Sequence, residues 1–305
     1  MLTQRRQALQ MLLLATIAAA LLLGLYFFFV KTAPGQRFDD LAFEGRKATR
    51  LAARRPATFL VHLFTVPSVV AGCVATAAYT LRRGNWKTGA LALASVALTL
   101  LLARLLKGGL IRPELVDLAY ASSRNTFPSG HAAAVVAVLL AAVASCEANL
   151  RVYLAPAAAL LAAGYMAALL GSGWHRQSDV LAGLALAVVV AAVTTATRLL
   201  LFEDTCSASG IPEWLNEHLA VPVRLGLLQP VRVVGVTSLG VVALVLLIQN
   251  PTSNERHSLL SFILVVVACC ILGMSAVFVF AKILGCPRLL NEQETETETP
   301  YPKAR

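Results

Sequence analysis

Three short polar clusters interrupt an otherwise apolar chain, and they hold the residues with chemistry to offer. They are Lys107-Gly108-Gly109-Leu110-Ile111-Arg112-Pro113, Pro128-Ser129-Gly130-His131 and Ser172-Gly173-Trp174-His175-Arg176-Gln177-Ser178-Asp179. In the third, His175 and Asp179 stand four residues apart, which on a helix puts them on one face. A carboxylate that accepts a hydrogen bond from one imidazole nitrogen fixes the tautomer and makes the other nitrogen more nucleophilic. That is the requirement for a nucleophilic histidine. Ser178 stands where an N-cap of the following apolar run is expected. Taken alone, the cluster also fits an interfacial Trp-His-Arg belt with a capping aspartate.

The second cluster opens the apolar run that begins at Ala132. The start of a helix exposes unpaired N–H groups and a partial positive charge, and so binds anions. Ser129 adds a hydroxyl, and Gly130 lets a ligand approach the backbone. A histidine at this point, His131, could protonate a departing alkoxide, an effect commonly about 10²–10⁴-fold in rate. The bland alternative is a Pro-Ser-Gly turn that merely starts a helix. In the first cluster, Lys107 and Arg112 flank a Gly-Gly pair, and Pro113 stiffens the chain after Arg112. Arginine grips phosphate oxygens bidentately, whereas lysine supplies a point charge. Juxtamembrane cations that snorkel to head groups have the same composition. Arg104, one turn before Lys107, and Arg124 are further cations.

The chain that must position these clusters is a membrane chain. Its 305 residues are 58% hydrophobic and 14% charged, with a mean hydropathy of +0.72. A soluble domain carries nearer a quarter charged residues. The net charge of +10 is assigned to loops that set topology and touch anionic head groups. Nucleic acid is excluded as a partner, because no basic stretch is interleaved with aromatics on a soluble face. Six cysteines, Cys73, Cys146, Cys206, Cys269, Cys270 and Cys286, show no Cys-x-x-Cys or Cys/His spacing. They read as small apolar packing residues, with no metal centre.

About 20 apolar residues span a bilayer, and the chain contains eight candidate spans: Leu9 to Val30, Thr58 to Leu81, Thr88 to Leu106, His131 to Cys146, Val152 to Leu170, Asp179 to Leu201, Val231 to Ile248 and Leu259 to Leu284. The first has a bulky end, Leu23 to Val30, and reads as a retained helix rather than a cleaved signal. Lys31 to Pro56 is a polar, mostly basic loop containing Gly35-Gln36-Arg37-Phe38-Asp39-Asp40. Phe202 to Gln229 is mixed, and its Ile211 to Leu219 part suits an interfacial helix. The Glu/Thr tail from Asn291 is too polar to pack and is expected to be disordered. Arg5, Arg6, Arg82, Arg83 and Lys87 put the N-terminus in the cytoplasm. The seven bases of Lys31 to Arg55 then fall outside against three acids, which runs against the positive-inside rule. Whichever way the chain inserts, the intervening spans bring all three clusters to one side of the membrane, here the extracytoplasmic side.

Together the clusters resemble the signature of the type 2 phosphatidic acid phosphatase superfamily, whose fold is shared with vanadium haloperoxidases. That pattern is Lys, six residues, Arg-Pro; then Pro-Ser-Gly-His; then Ser-Arg, five residues, His, three residues, Asp. Arg112-Pro113 matches the end of the first block, Pro128 to His131 the whole second, and His175 with Asp179 the end of the third. The likeness covers roughly Thr88 to Leu201. The family's lysine slot falls on Leu105, two residues before Lys107, and its Ser-Arg pair falls on Ala168-Leu169. Arg176 and Arg124 are the cations placed to substitute.

The resemblance implies an all-α, polytopic helical bundle. Residues 1–201 would form a six-helix phosphatase core, 202–230 an interfacial linker, 231–284 two additional transmembrane helices, and 285–305 a disordered tail. It implies a multi-pass cell-membrane enzyme that hydrolyses a lipid phosphate monoester or polyprenyl diphosphate without metal or other cofactor. Phosphatidic acid, phosphatidylglycerol phosphate and undecaprenyl diphosphate all present such a group at the interface. By the same resemblance His175 attacks phosphorus to form a phosphohistidine, and Asp179 orients His175. His131 protonates the departing oxygen, then activates water. Lys107, Arg112, Ser129, Gly130 and Arg176 hold the phosphate oxygens. A catalytically silent lipid-phosphate binder and a lipid phosphotransferase with the same histidines are the alternatives. A transporter fits less well, since no charged residue falls mid-span.

Overall fold

The computed structural model describes residues 2–48, 51–63, 66–116, 125–202 and 253–285, and their regular elements are all helical. In chain order these are α1 (Leu2–Leu25), continued by a π-helical turn at Tyr26–Val30; α2 (Ala33–Gly45); α3 (Leu51–Leu63); α4 (Val66–Arg82); α5 (Trp86–Gly109); α6 (Gly130–Ser145); α7 (Ala148–Ser172); α8 (Gln177–Leu201); and α9 (Ser253–Ile283). The expected all-α bundle is what is found. Five helical stretches among the described residues are long and apolar enough to cross a membrane, and the α3–α4 pair makes six if its two arms form one span. The expected linker from 203, the seventh span Val231 to Ile248, and the tail from 286 lie outside the described residues.

Two expectations about the elements before α5 need correction. The span expected from Thr58 to Leu81 is two helices, α3 and α4, bent by 45°. Pro67 lies one residue into α4. It has no N–H to give to the carbonyl of Leu63, and it disfavours helical backbone before it. The hydroxyl of Ser68 donates to that Leu63 carbonyl instead. The polar stretch read as a loop from Lys31 to Pro56 is mostly helical. Thr32 caps α2 by accepting from the Gly35 N–H at 3.1 Å, and Pro34 occupies its first turn, where a missing N–H costs nothing. Along α2, Gln36, Asp39 and Ala42 share a face and are buried, so this polar helix is packed into the end of the bundle.

The bundle is arranged around α8. Of its most apolar window 72% is buried, against 22% for α1 and 33% for α5. α8 packs against α1, α5 and α6, while α7 carries α3 and α9 on its outer side. The contact residues are small: Ala132, Ala133, Ala137, Ala159, Ala162, Ala187 and Ala192 are at most 1% exposed. Without water to drive helices together inside lipid, close backbone approach through small residues is what holds them. Leu9, Leu13 and Ile17 on α1 point outward and are exposed, as residues that meet lipid tails should be. α6, where a span from His131 to Cys146 is expected, has only 16 residues, fewer than the about 20 of a usual span, and most of it is covered by other helices. Cys146 and Cys269 are buried in this packing as expected.

Candidate active site

The three polar clusters converge at one end of the bundle. α7 stops at Gly173, which takes a left-handed conformation (φ 74°) and gives its N–H to Leu170 O at 3.0 Å. Glycine at this position closes the helix without a Cβ penalty. The chain turns through Trp174 and His175 and enters α8 with Arg176 as its extended N-cap. The expected cap, Ser178, is instead in the first turn. The reason is Asp179, whose Oδ2 reaches back to accept the Arg176 N–H at 3.2 Å and also takes the Thr126 hydroxyl at 2.7 Å. The same Oδ2 lies 3.6 Å from His175 Nδ1. His175 and Asp179 therefore face each other at 3.6 Å, beyond hydrogen-bond length, and His175 precedes the helix.

The other face of His175 meets the second cluster. His175 Nε2 lies 3.5 Å from His131 Nδ1. His175 is 6% exposed, whereas His131 is open at the mouth of the site. The Trp174 ring stands edge-on to His131 at 5.3 Å and to His62 at 5.2 Å. Ser129 is the N-cap of α6: its Oγ accepts from Ala132 N at 3.2 Å. Its N–H donates to the Asp179 carbonyl at 2.8 Å, which ties the start of α6 to the start of α8. Ser129 itself is fully buried, while the space a Cβ would take at Gly130 is open. The Phe127–Pro128 bond leading into this turn is cis.

From the first cluster, Arg112 reaches the centre. Its Nη2 lies 3.1 Å from Asp39 Oδ2 and its Nη1 3.5 Å from Asp179 Oδ1, with the side chain 8% exposed. The backbone around it is fixed on both sides. Tyr26 Oη donates to Ile111 O at 3.2 Å and Asn125 Nδ2 to Leu110 O at 2.9 Å. Gln36 gives its amide to Pro113 O at 2.7 Å and accepts from Leu115 N at 3.2 Å. Lys107 is half-buried on the last turn of α5, its carbonyl 3.4 Å from Asn125 Nδ2. Arg104 is exposed on α5, and Arg124 lies outside the described residues.

Arg176 is turned toward α2. Its Nη2 lies 3.5 Å from Asp40 Oδ1, and its guanidinium sits 5.3 Å from the Phe43 ring. The guanidinium of Arg46 also lies over that ring, at 3.7 Å. The family's Ser-Arg slot, Ala168-Leu169, is part of the apolar core, with Leu169 0% exposed.

Sequence reasoning missed Thr126, Gln36 and Asp39. Asp39 is fully buried; its Oδ1 accepts the Ser178 N–H at 3.2 Å and its Oδ2 the Ser178 hydroxyl at 2.6 Å. Burial, then the charge of Asp179, push the Asp39 carboxyl up to about 6, while Ser178, Arg112 and Arg176 pull it back. The only available signal was an acidic pair inside a basic segment.

Chemically, the site is a carboxylate-backed imidazole facing a second, exposed imidazole. A buried guanidinium and the open start of a helix lie alongside. Comparison with known proteins agrees with the family expected from the three clusters. Residues 86–202 match the model of the PAP2 superfamily, a stretch that spans α5 to α8. The crystal structure of the first transmembrane PAP2-type phosphatidylglycerolphosphate phosphatase from Bacillus subtilis matches with a TM-score of 0.51. It does so over 61% of this chain and 98% of that one, at 19% identity, which is a likeness of fold. No curated protein sequence matches the chain.

Proposed function

We propose that the protein is a membrane phosphatase that hydrolyses a lipid phosphate monoester or a polyprenyl diphosphate through a phosphohistidine. The observation that carries this reading is the line Asp179–His175–His131. Asp179 faces Nδ1 of His175 at 3.6 Å, and Nε2, the nitrogen left to react, faces His131.

In the first step His175 Nε2 forms a bond to phosphorus as the bond to the lipid oxygen breaks. The Nδ1 proton stays shared with Asp179, which favours the imidazolium character that develops. His131 gives its proton to the departing oxygen, and the free lipid alcohol leaves. In the second step His131, now neutral, takes a proton from water. The resulting hydroxide attacks phosphorus, the N–P bond breaks, and inorganic phosphate is released with His175 restored. Lys107, Arg112, Ser129 and Gly130 hold the phosphate oxygens and the charge that builds on them, and Arg176 joins them by turning from Asp40. That assigns to fixed cations and N–H groups the electrostatic work that a metal does elsewhere. A phosphoryl group does not fit in the 3.5 Å between the two imidazoles, so His131 must swing aside to admit it. Its exposure allows that rotation, and substrate binding commonly tightens such geometry.

One observation favours a second reading. The slot in which the family carries an arginine is filled by the core residue Leu169, as expected of a protein that binds lipid phosphate without turning it over. A phosphotransferase would use the same histidines with an alcohol in place of water. Phosphate release by the purified protein against a panel of phosphatidic acid, phosphatidylglycerol phosphate and polyprenyl diphosphates separates these. We expect release from at least one, abolished in His175→Ala and reduced about 10²–10⁴-fold in His131→Ala. Phosphate binding without release selects the silent binder, and release only when an acceptor alcohol is added selects the transferase.

A further inference from the structure

We propose that Asp39, on α2, is a positioning residue that sets Arg112 and the first turn of α8 for gripping phosphate. The proposal rests on the phosphatase reading above. Asp39 lies outside the segment 86–202 that matches the family model, and none of the three sequence clusters contains it.

A carboxylate with no exposed surface is costly to bury, and it persists only when its lone pairs are taken. Those of Asp39 are taken by three donors from two separate parts of the site: Ser178 N, Ser178 Oγ and Arg112 Nη2. This sharing has two consequences. First, Arg112 is held at both ends of its fork, Nη2 by Asp39 and Nη1 by Asp179 at 3.5 Å. The hydrogen bond to Asp39 and the charge of Asp179 together set the plane of the guanidinium. Its Nε and Nη1 are buried without a hydrogen-bond partner, which leaves two N–H-bearing nitrogens of a held guanidinium for an anion. Secondly, the start of α8 already has its anions. Asp39 takes the Ser178 N–H and Asp179 takes the Arg176 N–H. The helix start left for a phosphate is that of α6, where the side of Gly130 is open.

The same helix fixes the backbone as well as the side chain. Gln36, one turn before Asp39 and also fully buried, bonds Pro113 O and Leu115 N just beyond that arginine in the chain. Residues three apart on a helix share a face, so one face of α2 contacts both the Arg112 side chain and the backbone after it.

The test is a double-mutant cycle on the full-length protein in detergent, reading kcat/KM for lipid phosphate and, separately, Kd for inorganic phosphate. Asp39→Asn keeps the shape and removes the charge. If Asp39 acts through Arg112, it costs about 10²-fold in kcat/KM, as misplacing a gripping group by about an ångström does. In an Arg112→Lys background, where the fork is already gone, the same change costs less than about 3-fold. A merely structural role gives equal losses in both backgrounds, and that result overturns the proposal, as does an Asp39→Asn variant with wild-type constants. Should Asp39→Asn fail to fold, Ser178→Ala removes one donor to the same carboxylate and must show the same non-additivity with Arg112→Lys. If the wild type binds inorganic phosphate but releases none from any lipid, the phosphatase reading falls. The cycle in Kd then decides Asp39 alone. If it neither binds nor turns over, both fall.

Discussion

At the scale of single residues, the site depends on how few charges are shared among many donors. Arg112 bridges Asp39 and Asp179, while Asp179 also serves His175, Thr126 and the backbone of Arg176. Burial raises Asp39 from 3.8 to about 6, so the folded chain holds that proton more tightly than the unfolded chain does. The contribution to stability is therefore greatest when Asp39 is protonated and is lost as pH rises through about 4 to 6, an effect of about 3 kcal/mol at most. Asp39→Asn cannot titrate there. Thermal melting in detergent should show the wild type gaining stability relative to Asp39→Asn as pH falls from 7 to 4. A constant difference across that range would mean that Asp39 is not raised.

At the scale of elements, the decisive contact is between the starts of α6 and α8. Ser129 N donates to Asp179 O, and a Cβ placed on Gly183 would come within 2.5 Å of Ser129 O. Gly183→Ala forces the two helix starts apart. It should cost about 1–3 kcal/mol, as overpacking does, and it should lower phosphate release beyond the stability loss, because His131 and His175 ride on those two starts. Melting temperature and initial rates measured together check this. The elements around that contact were legible in the sequence. α5, α7 and α8 are long apolar runs, and the residues at their ends have types and spacing with one chemical meaning. α2 was not legible. Its 13 residues are rich in charge, and such a segment reads as loop until partners are known. The residues that bury Asp39 and Gln36 lie more than 70 positions away, at Arg112, Pro113, Leu115 and Ser178. Local pattern has no access to a contact of that range. The break at Pro67 was readable in principle, since proline inside an apolar run marks a boundary. The N-cap at Arg176 was not, because it is set by where the Asp179 side chain reaches.

At the scale of the whole molecule, α9 packs with its first turns against α2, and its last turn is attached to the core at the start of α7. Arg151, at the start of α7 and 4% exposed, donates to Val143 O, Cys146 O, Leu284 O and Gly285 O at 2.7–3.1 Å. One guanidinium thus serves the last carbonyls of both α6 and α9, where a cation also meets the negative ends of the two helices. Arg151→Met strands these carbonyls at about 1–3 kcal/mol each. It should lower the melting temperature and speed proteolysis near Gly285, while phosphate release at low temperature stays at the wild-type rate. Loss of activity without loss of stability would mean that α9 bears on the site directly. The central claim is that His175 carries the phosphoryl group, and the most direct measurement is to trap it. Wild-type protein quenched while turning over lipid labelled in its phosphate should retain label that is acid-labile and base-stable, and His175→Ala should retain none. Label on His175→Ala, or phosphate release by the wild type with no labelled protein at any time, would contradict it.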